Sequence, residues 1–185
     1  MTLNEAIASI KPLDESIKSK VWERWDNLTK PPRSLGRLEE IVVQLAGIMR
    51  TDKPKVDDRY IVVMAGDHGI AKSGVSAYPQ EVTVQMVYNF LSGGAGINAI
   101  ASTARAKVMV VDVGVAKKID ISHPFFRDYN VLRGTEDFSK GPAMSRESAV
   151  RSIEVGIRVI EELNEIGFDI VGTGEMGIGN TTPSS

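Results

Sequence analysis

Tyr60-Ile61-Val62-Val63-Met64-Ala65 runs without a charge and closes on Gly66-Asp67-His68-Gly69. A short, β-branched run closed by glycine reads as a parallel strand buried on both faces, because such a strand has no polar face to show. Lys107-Val108-Met109-Val110-Val111-Asp112-Val113-Gly114 and Phe168-Asp169-Ile170-Val171-Gly172 have the same character. Helical stretches separate these runs. Residues 81–91 and 96–104 lie between the first two, and residues 145–166 precede the third. The last stretch places Ala149, Ile153, Ile157, Ile160, Leu163 and Ile166 on one expected inner face. The alternation predicts an α/β fold, a Rossmann-like parallel sheet flanked by helices. Asn130-Val131-Leu132 reads as a short extra strand.

Upstream of the first strand the pattern is helical. Residues 16–28 put Ile17, Val21, Trp25 and Leu28 on one stripe, and Lys30-Pro31-Pro32-Arg33 then breaks the helix. Ser34 is expected to cap a second helix whose Leu38, Ile41, Val42, Leu45 and Ile48 face inward. Residues 1–50 are therefore expected to form a helical segment, part of a small domain, with the α/β domain over 51–185.

The bulk numbers exclude several classes. A chain of 185 residues holds one real core and is short for two. With 42% hydrophobic and 25% charged residues, it has the composition of a soluble globular protein. A net charge of −2 gives no basic footprint for nucleic acid. There is no cysteine, hence no disulfide or thiolate metal site, and the two histidines, His68 and His123, are far apart in sequence. No metal and no cofactor are expected. Residues 1–11 lack the basic stretch and apolar core of a secretory signal, and no apolar run approaches a membrane span. The expectation is a cytoplasmic protein with no membrane partner.

Ligands of such sheets bind at the carboxyl ends of the strands. The richest loop there is Gly172-Thr173-Gly174-Glu175-Met176-Gly177-Ile178-Gly179-Asn180-Thr181-Thr182. Its glycines let backbone N–H groups approach a ligand, and Thr182-Pro183 reads as an N-cap followed by the first helical residue. A helix start there offers free N–H groups to a phosphate, and Glu175 could accept hydrogen bonds from ribose hydroxyls. Residues 172–177 also match the dinucleotide fingerprint G-x-G-x-x-G, although that motif should run straight into a helix. A glycine-rich turn without a ligand is the third reading. Asp67-His68 reads either as an acid–base pair or as a cap on its loop, since neighbours on an extended segment point apart. Gly93-Gly94-Ala95-Gly96 reads as a tight turn or as an anion nest.

Six ordered segments resemble the nicotinate-nucleotide–dimethylbenzimidazole phosphoribosyltransferase family. They are Lys30-Pro31-Pro32-Arg33-Ser34-Leu35-Gly36-Arg37-Leu38-Glu39, Ala65-Gly66-Asp67-His68-Gly69, Gly74-Val75-Ser76-Ala77-Tyr78-Pro79-Gln80, Val110-Val111-Asp112-Val113-Gly114, Gly141-Pro142-Ala143-Met144-Ser145 and residues 174–182. Arg33 departs from the pattern, since the family usually has glycine there. The resemblance implies transfer of ribose phosphate from nicotinate mononucleotide to 5,6-dimethylbenzimidazole, giving α-ribazole 5′-phosphate and nicotinate for cobalamin synthesis. It implies that Gly177, Asn180, Thr181 and Thr182 seat the phosphate and ribose, and that Glu175 touches the ribose or its developing positive charge. Tyr78, Pro79 and Met86 fall where the family walls its benzimidazole pocket; by themselves they also read as a loop turn and a core residue. Asp67 and His68 are supporting candidates. The resemblance further implies a homodimer, and a general-base glutamate in the C-terminal half of the family, beyond Ser185. The chain is therefore expected to be the N-terminal portion of the transferase, inactive alone. The alternative is a non-catalytic nucleotide- or dinucleotide-binding module.

Overall fold

The structure is a computed structural model and describes residues 1–185. The chain divides into two compact units, Ile7–Val56 and Asp57–Ser185, the latter joined by Met1–Ala6. The first helix, α1 (Leu3–Ser9), begins in the larger unit, where the Met1 amine meets Glu161 at 3.1 Å.

The larger unit is built on one parallel sheet of β1 (Arg59–Gly66), β2 (Ala106–Gly114), β3 (Phe126–Asp128) and β4 (Ile170–Met176), in the order β3-β2-β1-β4. The β1–β2 connection carries a 3₁₀ turn (Gly69–Ser73), α4 (Val82–Leu91) and α5 (Gly96–Thr103); α6 (Arg146–Ile166) leads into β4. Alternate strand residues serve two cores. Tyr60, Val62, Met109 and Val111 pack against Val159 and Leu163 of α6. Ala65 and Val110 face the other way, into a cluster with Val87 of α4 and with Val115, Ile119 and Phe126. Burial on both faces explains why β1 and β2 read as unbroken apolar runs. Fully burying a side chain of this kind stabilises by roughly 1.5–3 kcal/mol.

Three sequence expectations shift here. The extra strand is 126–128, not 130–132. Past Asp128 the backbone still follows β2, through Tyr129 N to Asp112 O and Val131 N to Val113 O, both 2.9 Å. The Asn130 side chain, however, turns in to Asp112 Oδ1 and Val115 O, which breaks the ladder. The last strand begins two residues later than expected and extends through Met176. Gly172, Thr173, Gly174 and Glu175 are thus strand residues paired with β1, not loop. The inner face of α6 is also rotated: Val159 and Leu163 are buried, while Ile153, Ile160 and Ile166 are exposed. The helix carries two apolar stripes, and periodicity alone does not choose between them.

The smaller unit holds α2 (Glu15–Asp26) and α3 (Arg37–Met49). Asp14 caps α2 by accepting from Ile17 N at 3.1 Å. Val21, Val43 and Ala46 form the core. Gly47 abuts the Lys18 stem so closely that an added Cβ would lie 2.9 Å from it. The small Ala46-Gly47 pair thus draws α2 onto that side of α3. The expected face is met only in part: Val42 packs against this core and Leu45 is half-buried, while Leu38, Ile41 and Ile48 are exposed. Ser34 is no cap; its N–H donates to Pro31 O in a turn, and Gly36 precedes the helix at φ +54. Buried Glu39 pairs with the Lys30 ammonium at 2.9 Å and accepts from Leu35 N at 3.1 Å. The Lys30 hydrogen bond holds its carboxyl below the usual range. Arg33 adopts φ +61, a left-handed conformation that favours glycine, with its guanidinium 3.5 Å above the Trp22 ring.

Candidate functional site

The carboxyl ends of β1, β2 and β4 meet three loops. After β4 the chain turns through Gly177 and Ile178, both buried, and one helical turn, α7 (Thr181–Ser184), follows. Two contacts fix this path. Ile178 N donates to Thr83 Oγ1 at 3.0 Å, and Thr83 is fully buried at the start of α4. Gly177 passes so near β1 that an added Cβ would lie 2.0 Å from Gly66 O and 2.9 Å from the His68 ring. No residue with a side chain fits there. Asn180, not Thr182, sits at the N-cap, and Pro183 is the third helical residue. The Asn180 amide donates to the Glu175 carboxylate, and its side chain accepts from no helix N–H, so the two residues hold each other across the turn.

Two buried carboxylates organise the neighbouring loops. Asp67, directly after β1, accepts from Ala116 N at 2.8 Å, and its backbone O accepts from Thr135 N at 2.9 Å. Asp112, in β2, accepts from Val115 N at 2.7 Å and from Asn130 Nδ2 at 2.8 Å, with the Arg133 guanidinium 3.5 Å from its other oxygen. Burial raises the Asp112 carboxyl above its ordinary value, and the two hydrogen bonds pull against that. Asp67 therefore acts as a loop cap. His68 points elsewhere, into the space beside Glu175. Burial lowers its imidazole below the ordinary value, although the charges of Glu175 and Asp67 oppose the shift.

Asp67, His68 and Glu175 line one cavity of about 380 Å³ at this end of the sheet. Met64, Val113, Leu132, Met144, Ile153 and Met176 give it largely apolar walls. A pocket with apolar walls and a few convergent polar groups has the usual form of a small-molecule site. The structure brings together Asp67, His68, Glu175, Gly177 and Asn180. Thr181 and Thr182 stand exposed just beyond. Tyr78 and Pro79 are exposed on the loop leading to α4, and Met86 is half-buried on α4; none of the three lines this cavity. Sequence reasoning missed Thr83, a threonine inside an apolar helix, and Asp112, a carboxylate inside an apolar strand. A polar residue within an apolar run is the signal that could have found both.

No group of three or more His, Cys, Asp or Glu side chains is placed to hold a metal ion. No helix is long and apolar enough to cross a membrane. Gly93-Gly94-Ala95-Gly96 forms a turn between α4 and α5, with the Asn98 amide donating to Phe90 O at 3.0 Å and its oxygen accepting from Ala95 N at 3.1 Å. The His123 ring accepts from Phe125 N at 3.2 Å in a loop away from the cavity.

Residues 10–185 match a family described as phosphoribosyltransferase. The chain is 50% identical over 183 residues to a nicotinate-nucleotide–dimethylbenzimidazole phosphoribosyltransferase of Roseiflexus sp. (strain RS-1), covering 99% of this chain and 52% of that protein. It is 49% identical over 183 residues to the protein of the same name from Geobacter sulfurreducens, again covering 99% and 52%. A crystal structure of the protein of that name from Thermus thermophilus superposes with a TM-score of 0.87 at 44% identity, covering 92% of this chain and 51% of that one. The chain spans about half the length of the curated relatives it matches.

Proposed function

The chain belongs to the phosphoribosyltransferase family, and on that premise we propose that it carries the nucleotide-binding side of an enzyme that moves ribose 5-phosphate from nicotinate mononucleotide to 5,6-dimethylbenzimidazole. The products are α-ribazole 5′-phosphate and nicotinate, for the nucleotide loop of cobalamin. The observation that carries this reading is the 175–182 loop. Its backbone is pinned by Thr83 and by the close approach of Gly177 to Gly66, while Glu175, Thr181 and Thr182 stand exposed at the strand end. A preorganised loop of this kind holds a phosphate and ribose without reordering on binding. Glu175 supplies negative charge beside the ribose carbon as the bond to nicotinate breaks.

In this reading the acceptor base lies against Tyr78, Pro79 and Met86. The general base is a glutamate outside residues 1–185, so this chain binds donor without turning it over. The reading also includes a cytoplasmic homodimer. The path of residues 172–177 favours it over a dinucleotide site: Gly172 and Gly174 lie inside β4, and no helix follows Gly177 directly. Calorimetry on the chain tests the proposal. Nicotinate mononucleotide should bind and NAD should not compete. Tighter binding of NAD, or turnover of both substrates by the chain alone, would overturn it.

A further inference from the structure

The Arg151 side chain stands exposed on α6 with no ion-pair or hydrogen-bond partner, although Glu154 lies three residues on. Opposite charges at that spacing on a helix ordinarily pair. Here Glu154 turns the other way and accepts from Leu3 N at 3.0 Å. The next charges of the same stripe are also engaged. Arg158 pairs with Glu162 at 3.1 Å and lies 3.9 Å over the Tyr129 ring, and Glu161 pairs with the Met1 amine at 3.1 Å. This stripe forms one side of a polar cavity of about 750 Å³. The segment that follows β3 forms the other side, with Asp128, Asn130, Val131 and Arg133. Asp128 accepts from Asn130 N at 3.4 Å. Arg133 commits only Nη1, which donates to Val115 O at 3.2 Å and lies 3.5 Å from the buried Asp112. Its remaining N–H donors and the whole Arg151 guanidinium are left for a ligand.

We propose that this cavity is a second anion site, for a phosphate monoester held between Arg133 and Arg151, and that its occupancy is transmitted to the cavity beside Glu175. The inference goes beyond the transferase reading and does not need it, because no residue of the 175–182 loop lines the polar cavity. Two guanidinium forks select the ligand class. A guanidinium takes up two oxygens at once, and a phosphate has enough oxygens to serve two forks, whereas a carboxylate has one pair. Transmission follows from a shared wall. Asn130, Val131 and Arg133 line the polar cavity, while Leu132, Gly134 and Thr135 line the apolar one. Both ends of this wall are tied to the sheet. The Asn130 amide donates to Asp112 and to Val115 O, and Thr135 N donates to Asp67 O at 2.9 Å. A ligand on Arg133 therefore acts on the middle of a strip held at both ends, next to Leu132.

Inorganic phosphate titrated into the 185-residue chain tests this, read by the arginine Nε–H signals, the Leu132 methyls and the backbone amides of Thr181 and Thr182. Arg133 and Arg151 should shift together along one binding curve. Acetate, which serves a single fork, should bind about tenfold more weakly, the worth of one charge-assisted hydrogen bond. Arg151→Gln keeps a good helix former at an exposed position, so the fold should be unchanged. It should weaken the Arg133 response to phosphate about tenfold. The Thr181 and Thr182 amides should respond as they do in the parent, which separates this site from the loop after β4. Leu132 should follow the Arg133 curve and lose its response in Arg151→Gln. Equal affinity for acetate, or an Arg133 response untouched by Arg151→Gln, would overturn the site. Guanidinium shifts with Leu132 unmoved, or a Leu132 response that survives Arg151→Gln, would overturn the transmission.

Discussion

Two segments of this chain are rich in glycine and use it in opposite ways. In Gly93-Gly94-Ala95-Gly96, glycine supplies conformation: Gly93 sits at φ +77, and open space surrounds it and Gly96. The turn is closed by a side chain, Asn98, that holds both flanks. In the segment through Gly177, glycine supplies proximity. Gly177 has no positive φ; its bare Cα lets one strand-end loop lie directly on another. The first use joins two helices. The second fixes a backbone at the carboxyl end of a parallel sheet, where ligands bind. An added Cβ at Gly94 would meet only the movable end of the Asn89 side chain, at 2.3 Å, whereas at Gly177 it would meet fixed backbone, at 2.0 Å; that backbone approach, and not the density of glycine, separates the two segments.

Substitutions can break or sharpen this contrast. Gly177→Ala should be the most damaging, costing roughly 3 kcal/mol in denaturant unfolding, because the obstacle is backbone and cannot move aside; nucleotide binding should vanish with it. Gly93→Ala should cost about 1 kcal/mol, the penalty for a Cβ in the left-handed region, and leave nucleotide binding untouched. Gly96→Ala should stabilise by up to about 0.5 kcal/mol, since the site is open and the unfolded chain loses freedom. The smallest effect concerns the ring on which Gly177 rests. With its pKa lowered by burial, His68 takes up a proton more readily in the unfolded chain than in the folded one. Its contribution to stability is therefore full above the unfolded value, near pH 6.5, and is lost as pH falls below it. Melting temperatures from pH 8 to 5.5 should fall more steeply for the parent than for His68→Asn; parallel curves would show that the ring is not desolvated.

The parallel sheet was legible because β1 and β2 are buried on both faces, and a continuous apolar run is the direct trace of that burial. The inner faces of α3 and α6 were not. Each helix carries two apolar stripes. In α3 the choice was made by size: Ala46-Gly47 lets α2 approach, while the bulky stripe of Leu38, Ile41 and Ile48 turns outward. Of the site, Glu175, Gly177 and Asn180 could be picked out because their motif is contiguous in sequence. The cavity could not, since its walls come from residues as distant as Met64 and Met176. Thr83 is linked to Ile178 across 95 positions by one hydroxyl, a contact that leaves no local pattern. Arg33 shows the converse: its φ of +61 explains why the motif it interrupts favours glycine there.

The anchors of the 175–182 loop carry none of the proposed chemistry. Thr83 and the bare Cα of Gly177 hold its course, whereas Thr181 and Thr182 stand exposed on it; Glu175 alone serves both sides, exposed yet tied to Asn180. Frame and reading head are thus separable parts. An engineer could rewrite the exposed positions to accept other sugar phosphates while inheriting the loop's shape unchanged, and natural variation in substrate could follow the same route without reinventing the fold.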